Sequence, residues 1–194
     1  MNIKKLLGIG VIVVLVIYGI NINNGLVTKQ EAVNKAWAQV ENQYQRRADL
    51  VPNLVNTVKG AADFERETLT DVIDARSKAT SIQLDASDLN NEQKMQKFQE
   101  AQEKLSGALS RLMVNVERYP ELKANANFRD LQTQLEGTEN RISTERMRFN
   151  ESVQKYNTSI RTFPTSLFAG VLGFDNKAYF EADEGSSEAP EVEF

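Results

Sequence analysis

From Val33 to Val58, large apolar side chains return every seven residues along two parallel lines, and few folds tolerate that spacing. Val33, Val40, Arg47 and Leu54 form the first line; Trp37, Tyr44, Val51 and Val58 form the second. Two such lines are the a and d positions of a heptad, the seam of a long amphipathic helix packed against others. Seven of the eight positions are apolar or aromatic, and the eighth is Arg47. A guanidinium in a packing seam is costly unless it is paired, so a partner for it is expected elsewhere in the chain.

The helix carrying this seam is expected to begin near Thr28, where Thr28 and Glu31 have the spacing of a capping box. It should run to Gly60, which offers either a C-cap or merely a weak point. Pro52 lacks the N–H that would bond the carbonyl of Ala48 and should bend the helix. A second pattern spans 64–80, with Asp63 as N-cap and Leu69, Val72, Ile73, Arg76 and Ala79 on one side. The polar stretch 81–91 reads as a loop. A third helix covers 92–119, with Phe98, Leu105, Leu112 and Tyr119 spaced by seven, and Pro120 ends it. The fourth, 128–162, carries Phe128, Leu135, Ile142, Phe149, Tyr156 and Phe163 on one line and Gln132, Glu139, Arg146, Val153 and Ile160 on the other.

The expected class is therefore all-α: an antiparallel long-helix bundle over residues 28–164, with four helices, or three if Gly60 is only a kink. Residues 165–194 form a C-terminal segment with a small apolar patch and an acidic tail. Such tails are usually disordered, although Tyr179-Phe180 and Phe194 offer aromatic groups that could dock.

Ahead of the bundle, residues 1–5 carry two lysines and 6–22 an almost uninterrupted apolar run. As a helix the run spans roughly 23–26 Å, slightly short of a hydrocarbon core of about 30 Å. Lys4 and Lys5 can snorkel, and Asn21, Asn23 and Asn24 can sit at headgroup level. A cleaved signal peptide has a similar basic start and short apolar core, but no Ala-x-Ala follows. A buried core helix is disfavoured because the run is apolar all round. The transmembrane anchor is the preferred reading. The two leading lysines place the N-terminus in the cytoplasm and the body on the far side.

Two absences constrain chemistry. The chain has no Cys and no His, which removes thiol nucleophiles, Cys-based zinc sites and the commonest general base and transition-metal ligand. The carboxylate pairs Glu65/Glu67 and Asp71/Asp74 read as a solvated helix face, not as metal ligands. A net charge of −4 gives no electrostatic reason to approach nucleic acid. No catalytic residue, cofactor, metal or small-molecule substrate is expected.

The assembled residues resemble the LemA family of bacterial membrane-anchored helical proteins. The matching pieces are Ala36-Trp37, Val40-Glu41, Tyr44 and the run Asp49-Leu-Val-Pro-Asn-Leu-Val55, then Val58-Lys59-Gly60 and Arg118-Tyr-Pro120. They continue with Leu135-Glu-Gly-Thr-Glu-Asn-Arg-Ile142, Asn150, Tyr156-Asn157, Phe163-Pro164, Tyr179-Phe180 and Val192-Glu-Phe194. The resemblance implies a long-helix bundle behind one transmembrane segment, with no established enzymatic activity. It also implies a link to envelope quality control through membrane-protease and TPM-domain partners.

The functional expectation is a non-enzymatic scaffold or interaction protein of the bacterial inner membrane. It would meet the membrane through its N-terminal helix and would bind protein partners or further copies of itself. The alternative is a regulator or accessory subunit of a membrane protease or other quality-control enzyme, with an enzyme using buried carboxylates as a poorer second. Three features are singled out: a polar network of Arg47, Glu139 and Arg146, a kink at Pro52 and Asn53, and Phe194 as a partner contact. For the network, a register-fixing role is favoured over a ligand pocket.

Overall fold

The computed structural model describes residues 3–60 and 64–181. It is all-helical, with no strand among the described residues. The longest element is α1, Ile3–Lys59, a continuous rod of 57 residues. It is followed by α2 (Arg66–Ser81), a 3-10 turn at Asp88–Asn90, α3 (Glu92–Val116), the short α4 (Pro120–Ala124), α5 (Ala126–Arg161) and α6 (Ser166–Ala169). The bundle consists of the later part of α1 with α2, α3 and α5. α1 packs along α5, and α2 along α3.

All eight seam positions of α1 are buried, Arg47 among them. The seven apolar and aromatic ones divide between two apolar clusters. One gathers Leu26, Val33, Trp37, Val40 and Tyr44 with Phe98 of α3 and Ile142, Phe149, Val153, Tyr156 and Ile160 of α5. The other gathers Val51, Leu54, Val55 and Val58 with Leu69, Val72, Leu105, Leu112, Phe128 and Leu135. Early α1 therefore meets late α5 and late α1 meets early α5, an antiparallel arrangement.

Several boundaries differ from those expected. The helix does not start at Thr28: α1 passes straight through, and the Thr28 hydroxyl donates to the carbonyl of Asn24 one turn earlier (2.9 Å). Polar residues alone do not end a helix whose neighbours Leu26 and Val33 are already buried. Gly60 follows the last residue of α1, so the helices on either side of it are separate; Asp63 lies outside the described residues. The third helix stops at Val116, and Pro120 opens α4, where its missing N–H costs nothing. Asn125 caps α5, its side chain accepting from the Phe128 amide (3.3 Å). The loop 81–91 is less polar in space than in sequence, because Leu84 and Leu89 are buried. Ile73 and Phe163 leave the core, 45% and 75% exposed; Phe163 lies beyond the end of α5.

Candidate functional site: a polar layer and a bound strap

Arg47 falls at the boundary between the two clusters, one turn after Tyr44 and one turn before Val51. Gln102 holds the same place between Phe98 and Leu105 on α3, and Glu139 between Leu135 and Ile142 on α5. The three meet. Arg47 is 1% exposed; its Nη1 donates to Glu139 Oε1 (2.7 Å) and Ser106 Oγ (2.6 Å). Its Nη2 donates to the carbonyl (3.1 Å) and Oε1 (2.7 Å) of Gln102. Gln102 passes the chain on to the carbonyl of Ala79 on α2 (3.1 Å). The guanidinium also lies over the Tyr44 ring at 5.1 Å. All four long helices are thereby tied at one level.

Glu139, in contrast, is 40% exposed and keeps contact with water. The pair is a buried cation answered by a carboxylate at the bundle's edge. Beside it a cleft of about 60 Å³, lined by Tyr44, Ala48, Ala79, Phe98 and Gln102, has room for a few waters only. Among the described residues no cluster of acidic groups could hold a metal ion. Arg146 lies two turns further along α5 and reaches elsewhere: its Nη2 donates to the carbonyl of Glu181 (3.0 Å), and it covers the Phe180 ring at 4.9 Å. The expected trio is thus divided between two places.

Pro52 sits on the exposed face of α1, and the helix continues through it. The carbonyl it leaves without its usual donor, that of Ala48, accepts from Arg76 Nε of α2 at 2.7 Å. The Asn53 carbonyl accepts from the Thr57 hydroxyl (2.9 Å). Phe194 lies outside the described residues.

The second arrangement was hardly visible in the sequence. Residues 175–181 run extended over the bundle, and three side-chain carboxamides hold their backbone. Asn157 donates to the carbonyl and accepts from the amide of Lys177 (both 2.8 Å). Asn150 does the same for Phe180 (both 2.9 Å), and Gln99 of α3 for Glu181 (both 3.1 Å). The Ala178 amide donates to the carbonyl of Leu89 (2.7 Å). Ala178 and Phe180 point inward; Phe180 stacks on Trp37 (5.9 Å) and meets Phe149 edge-on (5.5 Å).

The pitch explains the fit. Asn150 and Asn157 are seven residues apart, about 10.5 Å along a helix, and Lys177 and Phe180 are three apart, about 10 Å along an extended chain. The strap runs antiparallel to α5 in register with its heptads. The available signal was an aromatic followed by Asn repeated at that interval, Phe149-Asn150 and Tyr156-Asn157. Burial pushes the Lys177 ammonium below its usual pKa, with Asp175 pulling back. Burial, assisted by Asp175, pushes the Tyr156 hydroxyl up.

Four long helices, the first of them running on into an apolar end, define a class of helical bundles. The LemA family model matches residues 36–194, most of the chain, and the chain belongs to that family. It is 26% identical to Protein LemA of Metamycoplasma hominis over 161 residues, covering 83% of this chain and 69% of that one. It is 28% identical to the magnetosome protein MamQ of Magnetospirillum gryphiswaldense over 174 residues, covering 81% of this chain and 64% of the relative. A shorter match, 35% over 74 residues, reaches magnetosome protein MamQ 2 of Paramagnetospirillum magneticum and covers 38% of this chain and 27% of that one.

Proposed function

We propose that the chain is a non-enzymatic, membrane-anchored scaffold of the bacterial envelope, with its bundle on the extracytoplasmic side. One observation carries the reading. The first part of α1 is long and apolar enough to cross a membrane, and that apolar window is unburied by the rest of the protein. Without a break, the same helix becomes the seam of the bundle from Leu26 onward. An apolar all-round rod left unburied is suited to lipid.

The end of the bundle supports this placement. Phe168 of α6 meets Tyr18 of the apolar stretch edge-on at 6.1 Å, so α6 lies beside the rod where it emerges. Leu167 and Val171 there are exposed, Val171 at 89%, as suits side chains dipping into a headgroup boundary. The inward-facing polar groups of the bundle support a role without chemistry. Arg47, Gln102, Asn150 and Asn157 bond other parts of the same chain, and neither a His nor a thiol is present.

Cross-linking in intact membranes tests the scaffold role: stable adducts with partner proteins or with further copies are expected, and recovery of the monomer alone contradicts it. Protease added from the extracytoplasmic side should remove the bundle, and protection there would reverse the orientation.

A further inference from the structure

We propose that the groove between α3 and α5 is a binding site for an extended segment with an inward-facing Lys and an aromatic side chain, and that residues 177–181 of a second copy of the chain can take the place of the chain's own. Recognition runs through main-chain groups: Asn157, Asn150 and Gln99 each take both the amide and the carbonyl of one residue. Bonds of this kind do not depend on which chain supplies the strand. Selectivity lies in the Phe180 pocket, closed by Trp37 and Phe149, in the space left for Ala178, and in the buried Lys177, whose Nζ donates to the carbonyl of Ala86 (3.2 Å), while Tyr179 faces outward.

The connection to the strap must be freed before it can swing: the Phe174 amide donates to the carbonyl of Ala169 (3.0 Å), and Phe174 packs half-buried against the core. Between α6 and the strap, Val171 and Leu172 are exposed, and Gly173 takes a left-handed φ of 78°. Extended, residues 170–176 reach about 24 Å, roughly two helix diameters, enough to pass to an adjacent bundle. Exchange replaces every contact by its identical counterpart, the circumstance in which swapping costs least. The inference stands on the groove's geometry and not on the membrane placement.

The full-length chain in detergent, carrying Phe180→Ala to weaken the cis strap, provides the test. The probe is a synthetic peptide of residues 174–181 that keeps Phe180. Trp37 is the sole Trp and lies against Phe180, so its emission should shift red in the variant and return on saturation with peptide. A peptide with Ala in place of that Phe should not restore it. Adding Asn150→Ala to the chain should weaken peptide binding about tenfold or more, the loss of two hydrogen bonds. No peptide-dependent recovery in a chain that still melts cooperatively, or binding indifferent to Asn150→Ala, overturns the proposal. If Phe180→Ala does not fold, hydrogen exchange of the unaltered chain decides. The amides of Ala178, Phe180 and Glu181 should exchange by a local opening independent of denaturant, and exchange only with global unfolding, at the rate of Phe149, overturns it.

Discussion

Arg76 donates its Nε–H to the carbonyl of Ala48 at 2.7 Å, and that carbonyl is the acceptor that Pro52 cannot serve. A proline inside a helix normally leaves this group to water or to a bend. Here a side chain from the neighbouring helix substitutes for the missing amide, so the contact both repairs α1 and docks α2.

That arrangement predicts a coupling. Arg76→Met should cost about 1–2 kcal/mol, the usual loss when a partly buried acceptor goes unpaired. Pro52→Ala restores an N–H aimed at Ala48. In that background Arg76→Met should cost less, and denaturant melts of the four chains give the coupling directly.

The polar layer predicts an asymmetry. Glu139 is partly hydrated, so Glu139→Gln should cost about 1 kcal/mol or less. Arg47 is enclosed, and Arg47→Met should cost about 3 kcal/mol, because Gln102 and Ser106 lose their donor as well. The double variant should be little worse than Arg47→Met alone. Urea midpoints check the ordering, and equal losses for the two single changes would contradict it.

Alkaline stability has two opposed contributions in the strap region. Lys177 has a folded pKa below 10.5; between the two values the unfolded chain binds more protons, so stability rises with pH. Tyr156 has a folded pKa above 10.0; past that point the unfolded chain has lost a proton that the folded one keeps, so stability falls. Tyr156→Phe should therefore expose a rise in melting temperature as the pH approaches 10.5. Adding Lys177→Met should flatten it.

The heptad lines made the bundle legible because burial repeats with the helical period. All eight positions of the α1 seam are inside, and Arg47 does meet Glu139. The places where reading failed have physical causes. Asn21 to Thr28 looked like an interruption, yet exposed polar side chains are tolerated in a helix that tertiary packing holds on one face. Arg146 sat on the same line as Glu139, but a seam position specifies a face of the helix and not a partner, and Arg146 bonds the strap at Glu181. Of the strap only the docking aromatic, Phe180, was legible, because extended residues bonded through their backbone leave little pattern in their own side chains. Arg76 was placed on the correct face of α2, though nothing in its spacing identified the carbonyl of Ala48 as its acceptor.

In the proposed arrangement α1 is one rod, in lipid at its start and in the bundle from Leu26 on. The chain has no native cysteine, so single replacements report without interference. In the full chain reconstituted into vesicles, Ile9→Cys and Val16→Cys should resist a membrane-impermeant maleimide, whereas Lys29→Cys and Glu41→Cys should react at the rate of exposed thiols. Reaction of residues 9 and 16 as fast as residue 29 would put the start of α1 in water and rule that arrangement out.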